Sequence, residues 1–335
     1  MTQRPALLIM QRHLAPLTAF LESQYDVYRF WEGPPREAEH DIQALVVAGE
    51  FPLDTHLVES LPNLRLIACF TSGYDGIDVD WCRARGLAVT HAPGVNHEDV
   101  ADHALGLILA ARRQIAAGDR ALRAGGWTAD SKLITPSMKG QRLGVVGLGA
   151  IGEAVARRGE AFRMQVGWWG PRDKEAPWPR AETLEALARD SDVLVVACRA
   201  EDDNRGLISR EVIEALGPQG LLVNVARGQL VDETALIAAL RDGRLGQAAL
   251  DVFEDEPTDA ARWAGVPNTV LTPHTGGATT EAVQGMLMLL MQNLAAAFAG
   301  EPLKTPVKTE ARVQGLGARG EGQGMGQASK TGPRP

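Results

Sequence analysis

The chain has 335 residues, enough for two ordinary domains with sizeable cores. Apolar residues make up 45%, charged residues 23%, and the formal net charge is −8, which disfavours nucleic acid as a general partner because phosphate binding needs a basic surface. Cys69, Cys82 and Cys198 show no metal-ligand spacing, and sparse cysteines suit a reducing compartment. The first residues lead into only five apolar positions, too few for a signal peptide, and no apolar run reaches the length of a membrane span. The expectation is a cytoplasmic protein with no metal, no nucleic acid and no membrane partner.

In chain order, a first strand–helix series covers about residues 1–97. Short strands are expected at 6–10, 25–31, 44–48, 64–70 and 87–90, with helices at 56–61 and 79–85. A long helical pattern over 99–117 carries Val100, Ala101, Ala104, Leu105, Leu107, Ile108 and Ala111 around more than one face. Such a helix is expected to be largely buried and to connect two units.

A second series begins at 143. Apolar residues 143–146 read as a buried strand, Gly147, Gly149 and Gly152 follow, and 153–156 read as the start of a helix. This is the context that a dinucleotide fingerprint requires. Gly147 permits the tight turn, Gly149 lets backbone approach a diphosphate, and Gly152 lets helix and strand pack closely. The N–H groups of Ala150 and Ile151 at the helix start then face the anion. Strands are expected at 143–147, 165–169, 192–198, 220–226, 247–252 and 269–272, and helices at 150–162, 181–189, 209–216 and 233–242. A last helix, 281–299, is expected to pack back onto the first unit.

The fold class that follows is α/β, with two doubly wound parallel-sheet domains and a cleft between them. Residues 99–284 are expected to form a Rossmann cofactor domain. Residues 1–98 with 285–308 are expected to form a flavodoxin-like substrate domain. From 309 to 335 the chain is Gly-rich, with almost no large apolar residues, and is expected to be a disordered tail.

In doubly wound sheets ligands bind beyond the carboxyl ends of the strands. Arg227 follows strand 220–226, Glu256 lies in the loop after 247–252, and His274 follows 269–272. Together they suit reduction of a 2-keto acid. A planar guanidinium holds the carboxylate and polarises the ketone. The imidazole delivers a proton near neutral pH, and a nearby carboxylate fixes its tautomer.

The runs Val223-Asn224-Val225-Ala226-Arg227-Gly228, Val231-Asp232-Glu233, Ala249-Leu250-Asp251-Val252-Phe253-Glu254-Asp255-Glu256-Pro257 and Thr272-Pro273-His274-Thr275-Gly276-Gly277 resemble the signature blocks of the D-isomer-specific 2-hydroxyacid dehydrogenases. The likeness covers roughly residues 6–306, with four blocks in order. It implies that Arg227 binds substrate, that His274 is the acid–base group and that Glu256 is its acid partner. It also implies that Asp251 contacts the nicotinamide and that Gly276 and Gly277 let the cofactor approach. Ala197, Cys198, Val225 and Ala226, at strand ends beside the fingerprint, are further expected cofactor contacts. Formate dehydrogenases of the superfamily carry Gln where this chain has Glu256.

Within that family the chain is most similar to glyoxylate/hydroxypyruvate and hydroxyphenylpyruvate reductases, through Tyr28-Arg29-Phe30-Trp31-Glu32, Asp99-Val100-Ala101-Asp102, Gly125-Gly126-Trp127-Thr128 and Val195-Val196-Ala197-Cys198. The turn Thr71-Ser72-Gly73-Tyr74-Asp75 resembles the family loop whose amides hold the substrate carboxylate, here those of Ser72 and Gly73. The resemblance also implies a homodimer, and in some relatives an indole matching Trp127 reaches the partner's pocket. Ordinary packing is the other reading of Trp127.

An NAD-binding domain places an acid at the end of its second strand to bond the ribose hydroxyls. Here that position is Gly170, and Arg172 stands two residues on. Removing the acid removes repulsion of a 2′-phosphate, and Arg172 offers it a partner, so NADPH is expected over NADH. Asp173 argues the other way if it faces the ribose. The expected activity is reduction of a small 2-keto acid of glyoxylate or hydroxypyruvate type to the D-2-hydroxy acid. Two alternatives stay open: an aryl-pyruvate reductase, and a non-catalytic dinucleotide-sensing protein of the corepressor type.

Overall fold

The computed structural model describes residues 4–33, 38–128, 130 and 133–308. The segment 309–335, expected to be a disordered tail, lies outside the described residues. Two parallel sheets organise the rest. Sheet A contains β1 (Ala6–Ile9), β2 (Asp26–Arg29), β3 (Ile42–Val47), β4 (Leu66–Cys69) and β5 (Ala88–Thr90), in the order β2-β1-β3-β4-β5. That is the flavodoxin-like order. Sheet B contains β6 (Arg142–Val146), β7 (Gln165–Trp169), β8 (Val193–Val196), β9 (Leu221–Asn224), β10 (Gln247–Leu250) and β11 (Thr269–Leu271), in the order β11-β10-β9-β8-β6-β7. A single parallel bridge, Trp168 to Arg180, adds the vestige of one more strand beyond β7 and completes a Rossmann order.

Alternation along each strand explains the layering. In sheet A, Leu7, Ile9, Val46, Leu66 and Ala68 pack into one core, and Leu8, Leu45, Val47, Ile67 and Cys69 into another. In sheet B, Val146, Leu194, Val196, Leu222 and Leu250 face one side, and Leu143, Val145, Val193, Val195, Leu221 and Val223 the other. The helix His97–Arg112 leaves sheet A and buries Val100, Ala101, Ala104, Leu105, Leu107 and Ile108 in this last core. Truncating the fully buried Ile108 to Ala costs about 2–5 kcal/mol.

The expected single helix over 99–117 is corrected. Arg112 ends it, Gln114 adopts the left-handed conformation at φ 51°, and a separate helix, Ile115–Arg123, starts beyond. The sequence reading also omitted a 3-10 helix, Arg12–Leu17, and a short turn of α-helix, Thr18–Leu21. Pro16 and the brevity of both hide any period. The helix Thr280–Ala299 is long and apolar enough by composition to cross a membrane, with mean hydropathy 1.4. Its Ala282, Met286, Leu290 and Leu294 are buried against sheet A.

Candidate active site

The turn after β6 is built around glycine. Gly147 has φ 90°, and a Cβ there would lie 2.5 Å from Cys198 Cα, so no side chain fits. A Cβ on Gly152 would lie 2.0 Å from the Gly147 carbonyl, so only glycine lets the helix Ala150–Ala161 pack so close to the strand end. Several other helices are capped by side chains: Thr183, Asp232 and Thr279 each accept a backbone N–H. The helix Ala150–Ala161 starts at Gly149 with no side-chain cap, Gly149 and Ala150 are exposed, and Ile151 is half-buried. A Cβ on Gly149 would meet nothing within 4 Å. An uncapped, open helix start fits a dinucleotide diphosphate.

Beyond β7, Gly170 is buried and its carbonyl accepts from Arg180 Nη2 at 2.8 Å. Arg172 and Asp173 are exposed on the following loop, with Asp173 3.8 Å from Arg180. Lys174 on the same loop donates to the Leu148 carbonyl at 2.8 Å and pairs with Glu153. Beyond β8, the Ala197 N–H donates to Val146 O at 2.9 Å and Cys198 abuts the Gly147 turn. Burial pushes the Cys198 thiol up to about 11, so it is a packing residue rather than a nucleophile.

Beyond β9, Val225 and Ala226 are buried and Asn224 shapes the turn, donating to Arg227 O and accepting from Ala226 N–H. Arg227 Nε donates to Asp75 Oδ2 at 2.5 Å and Nη1 to Ala226 O at 2.7 Å. A Cβ on Gly73 would lie 2.1 Å from Arg227 Nη2, so Gly73 admits the guanidinium. The guanidinium thus bridges from sheet B to the 71–75 loop of sheet A.

That loop follows β4. The Ser72 hydroxyl donates to Ala92 O at 2.6 Å with Asn96 Oδ1 at 3.1 Å, so the side chain is turned into its own domain. Among the described residues no acceptor meets the Ser72 and Gly73 amide N–H groups. They are available to an incoming carboxylate.

His274 Nδ1 lies 2.6 Å from Glu256 Oε2, and Glu256 Oε1 accepts from the Phe253 N–H at 2.9 Å. The hydrogen bond to Glu256 raises the pKa of His274 above its ordinary value, against opposing burial and the charge of Arg227. Burial alone would raise the Glu256 carboxyl, but His274, the Phe253 N–H and Arg227 together hold it below its usual range. His274 has φ 53°, a conformation that costs a side chain about 1–2 kcal/mol. The turn is tied down: His274 N–H donates to Asp251 O at 2.8 Å, and the Thr275 and Gly276 N–H groups donate to the Asp251 carboxylate. Burial raises the Asp251 pKa, yet these donors, with His103 and Thr272, drive it well below the carboxylate range. Gly276 is buried there, and a Cβ on Gly277 would collide with Asn96 Nδ2 at 2.4 Å.

Residues 105–276 match the family model of the D-isomer specific 2-hydroxyacid dehydrogenase NAD binding domain. The chain belongs to that dehydrogenase family. It is an oxidoreductase. This dehydrogenase is 40% identical over 304 residues to a glyoxylate/hydroxypyruvate reductase of Arabidopsis thaliana, covering 88% of this chain and 97% of that one. It is also 40% identical over 305 residues to a hydroxyphenylpyruvate reductase of Plectranthus scutellarioides, with coverage of 88% and 97%. Among solved structures, an NADPH-dependent glyoxylate/hydroxypyruvate reductase of Sinorhizobium meliloti, in complex with NADP and malonate, superposes with TM-score 0.85 at 34% identity over 91% of this chain and 97% of that one. A 2-hydroxyacid dehydrogenase from Ketogulonicigenium vulgare gives TM-score 0.86 at 41% identity, with coverage of 92% and 100%.

In the dehydrogenase Arg227 reaches the 71–75 loop through Asp75 and lies near enough to the Glu256–His274 pair for its charge to act on both, and the Gly147–Gly152 turn follows β6 of the same sheet. Trp127 does not join them within one chain: it is 74% exposed on the loop after the helix Ile115–Arg123. Sequence reasoning missed Asp75 as the partner of Arg227. It lies inside the quoted turn, but only tertiary structure brings the two together.

Proposed function

We propose that this dehydrogenase reduces a small 2-keto acid of the glyoxylate or hydroxypyruvate type to the D-2-hydroxy acid. The glycine turn and the start of the helix Ala150–Ala161 would hold the diphosphate of a nicotinamide dinucleotide, which would supply the hydride that C2 of the keto acid accepts. The Ser72 and Gly73 amides and the Arg227 guanidinium hold the carboxylate, and Arg227 polarises the carbonyl. His274 donates the proton that the developing alkoxide needs, and Glu256 favours the imidazolium form that carries it. The observation that carries this reading is the short Glu256–His274 hydrogen bond beside an Arg227 anchored to the opposite sheet.

The cofactor preference we assign is NADPH, with NADH as the weaker donor. Gly170 leaves the second strand end without an acid, Arg172 is exposed next to it, and the relative bound to NADP carries the same fold. Ala197, Cys198, Val225, Ala226, Asp251, Gly276 and Gly277 line the proposed cofactor path. The large apolar side chains of Ile115, Leu122, Trp127, Leu133 and Ile134 are exposed, which supports a homodimer with Trp127 reaching the partner. The free thiols of Cys69, Cys82 and Cys198 suit the cytoplasm.

Equal identity to a hydroxyphenylpyruvate reductase keeps aryl pyruvates as a second reading. Glyoxylate, hydroxypyruvate, phenylpyruvate and hydroxyphenylpyruvate, each with NADPH and NADH, decide the matter by loss of nicotinamide absorbance. The expected ranking puts the small acids with NADPH first. Faster turnover of the aryl acids moves the assignment to the second reading, and no turnover of any overturns both.

A further inference from the structure

The helix that leaves sheet A carries an imidazole into the floor beneath His274. His103, in the helix His97–Arg112, lies with Nε2 2.9 Å from Thr272 Oγ1 and 3.3 Å from Asp251 Oδ1. The Thr272 hydroxyl donates its single proton to Asp251 Oδ1 at 2.6 Å. Only a lone pair of that oxygen remains for His103, so the imidazole must present Nε2–H. The hydrogen-bond network therefore fixes the tautomer.

Asp251 is almost wholly buried, and its two oxygens serve four partners. Oδ1 accepts from Thr272, at the end of β11, and from the Thr275 N–H at 2.9 Å. Oδ2 accepts from the Gly276 N–H at 2.8 Å. His103 adds the connecting helix. A Cβ on Gly276 would lie 2.9 Å from Asp251 Oδ2 and 3.4 Å from His103 Cδ2, so the turn rests on both side chains. Its first residue is His274, held in the left-handed conformation.

We propose that His103 is a positioning residue for the acid–base imidazole, acting through Thr272 and Asp251 on the turn that carries His274. It sets that turn in register with the helix that joins the two sheets. The inference rests on the reading of His274 as the proton donor, but its structural half does not. Leucine at 103 keeps the bulk and removes the donor, whereas glutamine keeps an N–H of similar reach.

The test uses the full chain and two variants, His103→Leu and His103→Gln. In the protein without substrate, amide exchange of residues 272–278 accelerates in His103→Leu by about tenfold or more, while β6 and β8 keep wild-type protection. This scale is that of one lost hydrogen bond to a charged group. In turnover, kcat of His103→Leu falls by about tenfold to a hundredfold with KM for the keto acid little changed. His103→Gln returns both readouts most of the way. Wild-type exchange in His103→Leu, or a glutamine variant as impaired as leucine, overturns the proposal. Full turnover by His274→Ala removes the proton-donor reading instead and leaves the exchange result to stand by itself.

Discussion

The two sheets are built alike and equipped differently. Both are parallel, both are buried on two faces, and both present strand ends to a common space. Sheet B ends in side-chain chemistry: a glycine turn, Arg227, Asp251 and His274. Sheet A ends in the 71–75 loop, which offers backbone N–H groups and a single carboxylate, Asp75, to Arg227. Layer packing therefore sets where a ligand can sit, and loop residues set what happens to it. On the proposed reading, sheet B supplies the proton donor and shares the holding of substrate, through Arg227, with the loop of sheet A.

Substitutions divide along the same line. His274→Ala removes the proton donor on sheet B and lowers kcat by about 10²–10⁴, measured by steady-state loss of nicotinamide absorbance. A wild-type rate would erase the asymmetry altogether. Arg227→Lys replaces a planar fork with a point charge, and kcat/KM for the keto acid falls by about 10–100-fold while affinity for the reduced nicotinamide cofactor, read by fluorescence, stays put.

Glu256→Gln probes the charge beneath the imidazole. Reduction needs the imidazolium, so its rate is full below the His274 pKa and declines as pH rises through it. Glu256 raises that pKa. The glutamine variant therefore loses reduction at lower pH than the wild type. The reverse oxidation, which needs neutral imidazole, begins at correspondingly lower pH. A pH profile identical to wild type counts against the pairing. The smallest effect is expected on the holding side: Asp75→Asn keeps a weaker acceptor for Arg227 and raises KM for the keto acid about threefold to tenfold, with kcat nearly unchanged. A collapse of kcat in that variant would mean that sheet A does more than hold.

Much of the fold could be read from the sequence because fully buried parallel strands are continuous apolar runs such as Val193-Leu194-Val195-Val196. The break at Gln114 could not, since glutamine in the left-handed region leaves no compositional trace. Nor could the vestigial strand at Arg180, a single bridged residue. At the site, Arg227 and His274 stood out because each directly follows an apolar run. Asp75 did not, because its role depends on a residue 152 positions away. His103 was hidden for the same reason: its polar neighbours, Thr272 and Asp251, follow strands that come much later in the chain. Pairwise proximity across sheets is a property of packing, which spacing along one segment does not encode.

The return of the helix Thr280–Ala299 to sheet A means that the polypeptide crosses between the two lobes twice, once through His97–Arg112 and once just after His274. Two parallel tethers restrain motion as a pair of door hinges does. Swinging about one line stays cheap, whereas twisting or sliding would stretch one tether against the other. His274 sits beside the second tether, where the chain passes from one lobe to the other.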